Sequence, residues 1–165
     1  MQQPKSSRPD VRSTSEQAEL EAAIRDLFEH KIVFNEYLGF EIGDYSKGSV
    51  TIGFDMRPEL IGHFMHGRLH GGVISAVLDA AGGLAVIWAI AELYFDETVD
   101  QIMERFKALA TIDIRVDYLR PGTGEKFYAQ ASVVRLGRRI AATHATLNSD
   151  NGKVIASANG AYTVS

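Results

Sequence analysis

The chain has 165 residues, 45% of them hydrophobic and 23% charged, proportions that suit one globular domain with a sizeable core rather than a disordered or fibrous chain. It contains no cysteine, which excludes disulfides and cysteine-ligated metal and fits a reducing compartment. The net charge of −4 is uneven: residues 1–104 carry 8 Lys/Arg against 17 Asp/Glu, and residues 105–139 carry 8 against 3. Such a positive block favours an anionic ligand or forms a solvated sheet face.

Residues 1–12 are polar and bear Pro and Ser without an apolar core, so they read as a disordered leader rather than a signal peptide. A cytoplasmic protein is expected, with a single domain over residues 13–165. Ser13-x-x-Glu16 has the form of a capping box, and Leu20, Ile24, Leu27 and Phe28 follow at helical spacing, which predicts an amphipathic helix over 16–32. Residues 39–55 alternate as a hairpin, with Phe40, Ile42 and Tyr45 before a Ser46-Lys47-Gly48 turn and Val50, Ile52 and Phe54 after it. The segment 57–69 leads into His70 and carries His63 and His66 as well. Pro58, Gly62 and Gly67 make it a loop, and no cysteine or adjacent carboxylate completes a zinc set, so no metal and no cofactor is expected.

The stretch 67–88, GRLHGGVISAVLDAAGGLAVIW, is nearly all apolar or small and carries, beyond Arg68, a single charge, Asp79. As a helix it puts Ile74, Val77, Leu78, Ala81, Leu84 and Trp88 on one face and Gly72, Ser75, Ala76, Asp79 and Gly83 on another. It approaches the length of a membrane span, but a mid-run aspartate would cost about 2.5 to 3.5 kcal/mol at the bilayer centre. A buried core helix is the better reading, and the small residues round Asp79 leave space for a substrate. Asp79 as a core acid held by a hydrogen bond is the plain alternative.

Residues 92–109 predict a second helix, capped by Thr98-x-x-Gln101, with Val99, Ile102, Met103 and Phe106 on one face. Four strands follow, 111–119, 126–136, 139–148 and 153–164, punctuated by Pro121-Gly122, Gly137 and Asp150-Asn151-Gly152 and expected as a meander. A helix apolar on most sides suits a curved antiparallel sheet wrapped round it, an α+β arrangement.

Three ordered motifs carry a resemblance. Leu69-His70-Gly71-Gly72 precedes Asp79; Thr111-x-Asp113 opens a strand ending Tyr118-Leu119-Arg120-Pro121; Gly137-Arg138-Arg139 precedes the strand Gly152-Lys153-Val154-Ile155-Ala156. Over residues 38–165 the chain resembles the hotdog-fold acyl-CoA thioesterases of the PaaI-like branch, and within them the YigI type acting on medium- and long-chain acyl-CoA. The resemblance implies a hotdog fold, Asp79 as nucleophile or general base, and the Gly71 N–H as donor to the thioester carbonyl. It also implies Thr111 as a residue placing the attacking water and His70 as orienting the loop or binding near the carbonyl. Many relatives have an Asn six or seven residues before that histidine, where this chain has His63 and Phe64; His63 is the substitute candidate.

These roles agree with the chemistry of thioester hydrolysis, in which a helix N-terminus stabilises charge developing on the carbonyl oxygen and glycines at 71 and 72 allow close approach. Gly72 is therefore expected at the substrate, Phe106, Met103 and Val99 along an acyl tunnel that Trp88 joins, and Arg138 or Arg139 at the CoA phosphates. An acyl-thioester dehydratase or hydratase using His70 and a carboxylate is the alternative enzyme. A non-catalytic acyl-CoA binding protein is the alternative of a different class. No helix-turn-helix is evident in the first 35 residues, so nucleic acid is not an expected partner, and the mid-run Asp79 argues against a membrane. Eight residues from Gly71 to Asp79 advance about 12 Å at 1.5 Å per residue, too far for one substrate carbon. A homo-oligomer is expected to share the site between subunits, as a dimer or a dimer of dimers (a homotetramer).

Overall fold

In the computed structural model, residues 12–46 and 48–165 are described; the leader over 1–11 and Lys47 of the hairpin turn lie outside the described residues. Helix α1 (Thr14–Asp26) opens on the expected capping box, the Ser13 side chain accepting from the Glu16 N–H while Glu16 accepts from the Ser13 N–H. The helix widens into a π turn over Leu27–Lys31 and stops at the extended Ile32, where its end was expected; a separate helix α2 (Val33–Leu38) follows and ends at Gly39 with φ of 71°. Glu29 accepts from the Ile42 N–H at 2.6 Å and pairs with Arg25 at 2.9 Å, fastening the π turn to the first strand.

Strands β1 (Glu41–Ser46) and β2 (Ser49–Asp55) form the hairpin. In the loop, the short strands β3 (Ile61–His63) and β4 (Arg68–Leu69) pair with each other. Helix α3 runs from Gly71 to Leu93, five residues past the expected end, and has taken Glu92 and Leu93 from the second helix. That helix, α4, is only Val99–Phe106, starting at the expected Thr98 and Gln101 capping box. Strands β5 (Ala110–Tyr118), β6 (Lys126–Leu136), β7 (Ile140–Ser149) and β8 (Val154–Thr163) complete the chain.

Six strands make one antiparallel sheet in the order β1-β2-β6-β7-β8-β5. The expected four-strand meander is therefore corrected: β6 pairs with β2, and β5 closes the far edge against β8. The β5–β6 connection is no hairpin turn; it runs past the start of α3, where the Leu69 N–H donates to the Gly122 carbonyl at 2.9 Å.

The sheet curves round α3. Across three strands the helix-facing row is Ala131, Ala145 and Ala158, register partners that are at most 2% exposed. Small side chains there let the sheet close on a thick helix, and Val77, Leu84, Val86 and Ile87 of α3 are fully buried in return. Length and apolarity alone would let α3 cross a membrane, but here it is the core helix, packed against β2, β5, β6, β7 and β8.

Arg12 fastens the chain to the end of α3. Its guanidinium donates to the carbonyls of Ala91 at 2.7 Å, Tyr94 at 2.8 Å and Glu97 at 3.2 Å, satisfying acceptors left open where α3 ends.

Candidate active site

The histidine, the two glycines and the aspartate of α3 do not meet in one place. His70 and Gly71 line one cavity along the helix, Asp79 lines another, and Gly72 lines neither.

The first cavity lies at the helix start. His70 is the N-cap: its Nδ1 accepts from the Gly72 N–H at 2.9 Å, and its carbonyl accepts from Val73 at 3.0 Å. The Gly71 N–H makes no hydrogen bond to a described residue, and Gly71 lines a cavity of about 320 Å³ together with His63, Arg68, His70, Tyr118 and Arg120. Positive dipole, free N–H and two arginines suit an oxyanion or anionic ligand there. Glycine is needed at 62, since a Cβ would sit 2.6 Å from the His70 Cα. His63 is exposed and its ring stacks on His66 at 4.7 Å. Gly72, expected at the substrate, does not line this cavity, because its N–H is committed to His70.

Tyr118, in the motif that ends β5, and Ser75, on the Asp79 face of the helix, are given no role of their own by the sequence. The Tyr118 hydroxyl lies 2.5 Å from Ser75 Oγ and donates to the Gly71 carbonyl at 3.1 Å, bracing the first turn. Only the path of β5 beside α3 brings them together.

The second cavity, about 310 Å³, surrounds Asp79. Its carboxylate Oδ1 accepts from the Thr111 hydroxyl at 2.9 Å and from the Tyr162 hydroxyl at 3.2 Å; Oδ2 has no partner among the described residues. The Tyr162 hydroxyl also lies 3.0 Å from the Asp79 carbonyl. Thr111 and Tyr162 are register partners on β5 and β8, and a bulge between Thr111 and Asp113 follows at once, the kind of irregularity that re-aims a side chain. Burial, then the nearby Asp79 carboxylate, pushes the Tyr162 phenol above its ordinary range, so it stays a donor. Gly82 makes this possible: a Cβ there would stand 2.2 Å from the Tyr162 hydroxyl oxygen. The Asp79 carboxylate is thus fixed by one oxygen and open by the other.

Apolar side chains build the rest of this cavity. Phe28 on the π turn meets Phe106 edge to face at 5.8 Å, and Ile32, Phe34 and Leu109 add to the wall. Asn35 joins them, a polar residue that neither spacing nor motif marked except as the one amide in an apolar run, VFNEYLGF. Of the three residues expected along an acyl tunnel, Phe106 lines this cavity. Met103 and Val99 do not: both pack against the core, because α4 ends at Phe106 and meets the cavity with its last turn, not its side. Trp88 stacks on Tyr45 at 4.3 Å, under the β1–β2 hairpin.

Arg138 and Arg139, expected at the CoA phosphates, are exposed on the β6–β7 turn and line neither cavity. Arg138 instead borders a separate cavity with Leu93 and Arg105 where α3 ends. Arg68 and Arg120 line the cavity beside Gly71. The Arg68 Nε is buried without a hydrogen-bond partner among the described residues.

Known proteins share this sequence and architecture. The family model described as "Thioesterase superfamily" matches residues 66–156. The chain is 36% identical over 141 residues to the medium/long-chain acyl-CoA thioesterase YigI of Escherichia coli, covering 86% of this chain and 91% of that one. The crystal structure of a Shewanella oneidensis protein related to the thioesterase superfamily superposes with a TM-score of 0.86 at 37% identity, over 93% of this chain and 100% of the other. A mutant of the phenylacetic acid degradation protein PaaI of Thermus thermophilus superposes at 0.60 and 26% identity, over 79% of this chain and 97% of its own. On matched sequence, a shared architecture and one helix carrying both a free N–H and a carboxylate, the chain belongs to the thioesterase superfamily and has its hotdog fold.

Proposed function

We propose that this protein hydrolyses acyl-CoA thioesters, medium- and long-chain fatty acyl-CoA above others, to free acid and CoA. The observation that carries the reading is the division of α3: Gly71 with its unused N–H lines one cavity and Asp79 with its unused Oδ2 another. A thioester carbonyl bound at one cannot be reached from the other within a subunit, since about 12 Å of helix separates them. Two α3 helices paired about a two-fold axis bring Asp79 of one subunit to Gly71 of the partner subunit, twice. The working unit is a homodimer or a dimer of dimers in the cytoplasm. Residues that a neighbour would cover support this: β5 is an edge strand, Ile112 and Tyr118 on it are half exposed, and Gly72 and Ser75 are incompletely buried.

In this unit the Gly71 N–H donates to the thioester carbonyl oxygen. Asp79 Oδ2 takes a proton from water as the water oxygen bonds to the carbonyl carbon, and the negative charge moves to the oxygen held at Gly71. Collapse of the tetrahedral intermediate breaks the C–S bond and releases CoA thiolate, which takes up a proton. Thr111 and Tyr162 hold Oδ1 so that Oδ2 faces the substrate. His70 sets the helix start, Arg68 and Arg120 meet CoA phosphate, and the Phe28–Phe106 wall takes the acyl chain. A dehydratase would need His70 and Asp79 on one substrate, but the His70 Nδ1 is occupied by Gly72 and the two residues line different cavities.

The test is thiol release from acyl-CoAs of graded length, followed by mixing of two inactive variants, Asp79→Asn and Gly71→Pro, each first shown to fold. Proline suits a first helical position, and the Tyr118 ring stands 3.5 Å from a Cβ at 71, ordinary contact. Co-refolded heterodimers contain one intact site and recover part of the activity. Verified heterodimers no more active than either parent would rule out the shared site.

A further inference from the structure

Asn35 is 6% exposed, lines the Asp79 cavity, and its carboxamide makes no hydrogen bond to any described residue. Its backbone already does what α2 needs, the carbonyl accepting from the Phe40 N–H at 3.2 Å, so the fold makes no use of the side chain. Asn35 shares the lining of that cavity with the apolar Phe28, Ile32 and Phe34. A buried amide without a partner weakens a protein. One that opens into a substrate cavity has its two N–H donors and its carbonyl acceptor available to whatever enters.

We propose that Asn35 makes this cavity select acyl chains that carry an oxygen substituent, a hydroxyl or oxo group, over the plain chain of equal length. The inference rests on the cavity being the acyl site of a thioesterase. A plain methylene chain leaves the amide unpaired when it displaces water, whereas a hydroxyl or oxo group pairs with it. A site built to hydrogen-bond a substrate oxygen discriminates against the analogue lacking it more strongly than an apolar wall discriminates by size. The carboxamide serves either group, since it donates to an oxo oxygen and both donates to and accepts from a hydroxyl.

The experiment uses CoA esters of one chain length: unsubstituted, 3-hydroxy, 3-oxo and terminally hydroxylated. In the native protein at least one oxygenated ester is turned over with kcat/KM about tenfold above the plain ester, the effect of one hydrogen bond. In Asn35→Leu that ratio falls to one or below. Equal kcat/KM for all four esters in the native protein overturns the proposal. So does an equal loss on all four in N35L, which would make Asn35 a positioning residue for the thioester or the water. The matching free acids, titrated calorimetrically against both proteins, make the same comparison without turnover: an oxygenated acid binds tighter than the plain one to the native protein, and not to N35L. If no ester is hydrolysed, the thioesterase reading fails while the acids still decide Asn35. If N35L does not fold, Asn35→Ala takes its place in both arms, and equal binding of all the acids to the native protein overturns the proposal without any variant.

Discussion

The start of α3 and its middle make the same kind of provision, a polar group set beside a cavity, by opposite means. At the start, His70, Gly71 and Gly72 are neighbours in the chain, and a cap hydrogen bond of 2.9 Å between residues 70 and 72 sets the geometry. In the middle, Asp79 is oriented by Thr111 and Tyr162, which stand 32 and 83 residues further along. Local geometry survives damage elsewhere in the fold. An arrangement that depends on the register of two strands and on a missing Cβ at Gly82 does not. The middle of the helix should therefore be the more fragile of the two, in activity and in stability.

The largest effect should come from Asp79→Asn, which keeps the acceptor for Thr111 and Tyr162 but removes the base. We expect kcat for thiol release to fall about 10²- to 10⁴-fold with the melting temperature little changed. A single turnover in ¹⁸O-labelled water sharpens the result: label appearing in the product acid and not in Asp79 is expected for a general base, whereas label in the Asp79 side chain would mean direct attack by the carboxylate. Next in size, Gly82→Ala drives a methyl group onto the Tyr162 hydroxyl. It should lower unfolding stability by about 1 to 3 kcal/mol in denaturant titrations and lower activity with it. A stable, fully active variant would show that Tyr162 does not set the carboxylate.

Tyr162→Phe deletes only the hydroxyl. A fall of about tenfold in kcat, equivalent to roughly 1.4 kcal/mol, with KM held, is expected if the phenol orients Oδ1; an equal change in KM would point to general damage of the cavity. His70→Ala tests the other end of the helix. Loss of the cap should cost about 1 kcal/mol of stability, and activity should fall less than in Asp79→Asn. A larger activity loss than that of D79N would reverse the comparison and give His70 a direct part in the chemistry.

The smallest effect lies away from both cavities. The hydrogen bond from Arg105, at 2.5 Å, holds the Glu97 carboxyl below its ordinary value of 4.5. A carboxyl depressed in the folded state contributes stability that is present above 4.5 and lost as pH falls through the folded-state value. Acid titration of stability should show this loss, and Arg105→Met should shrink it while leaving activity per folded molecule unchanged at neutral pH.

Sequence alone determined what depends on short stretches. Both capping boxes, the β1–β2 hairpin, the start of α3 and the four last strands follow from side-chain period and turn chemistry, which act over a few residues, and the ordered motifs supply the family. The edges of elements followed tertiary packing instead: α3 continues to Leu93 because Arg12 and the sheet support its last turn, and α4 is correspondingly short. The place of β5 at the far edge, the Thr111–Tyr162 pair it creates on Asp79, and the entry of Phe28 and Asn35 into the cavity could not be read from the chain. Strand order and inter-element contacts are decided by which buried faces fit together across long separations, and no local period encodes that. For the same reason Met103, Arg138 and Arg139, chosen by helix face and local charge, stand outside the Gly71 and Asp79 cavities, while Arg68, Tyr118 and Asn35, marked by neither, line them.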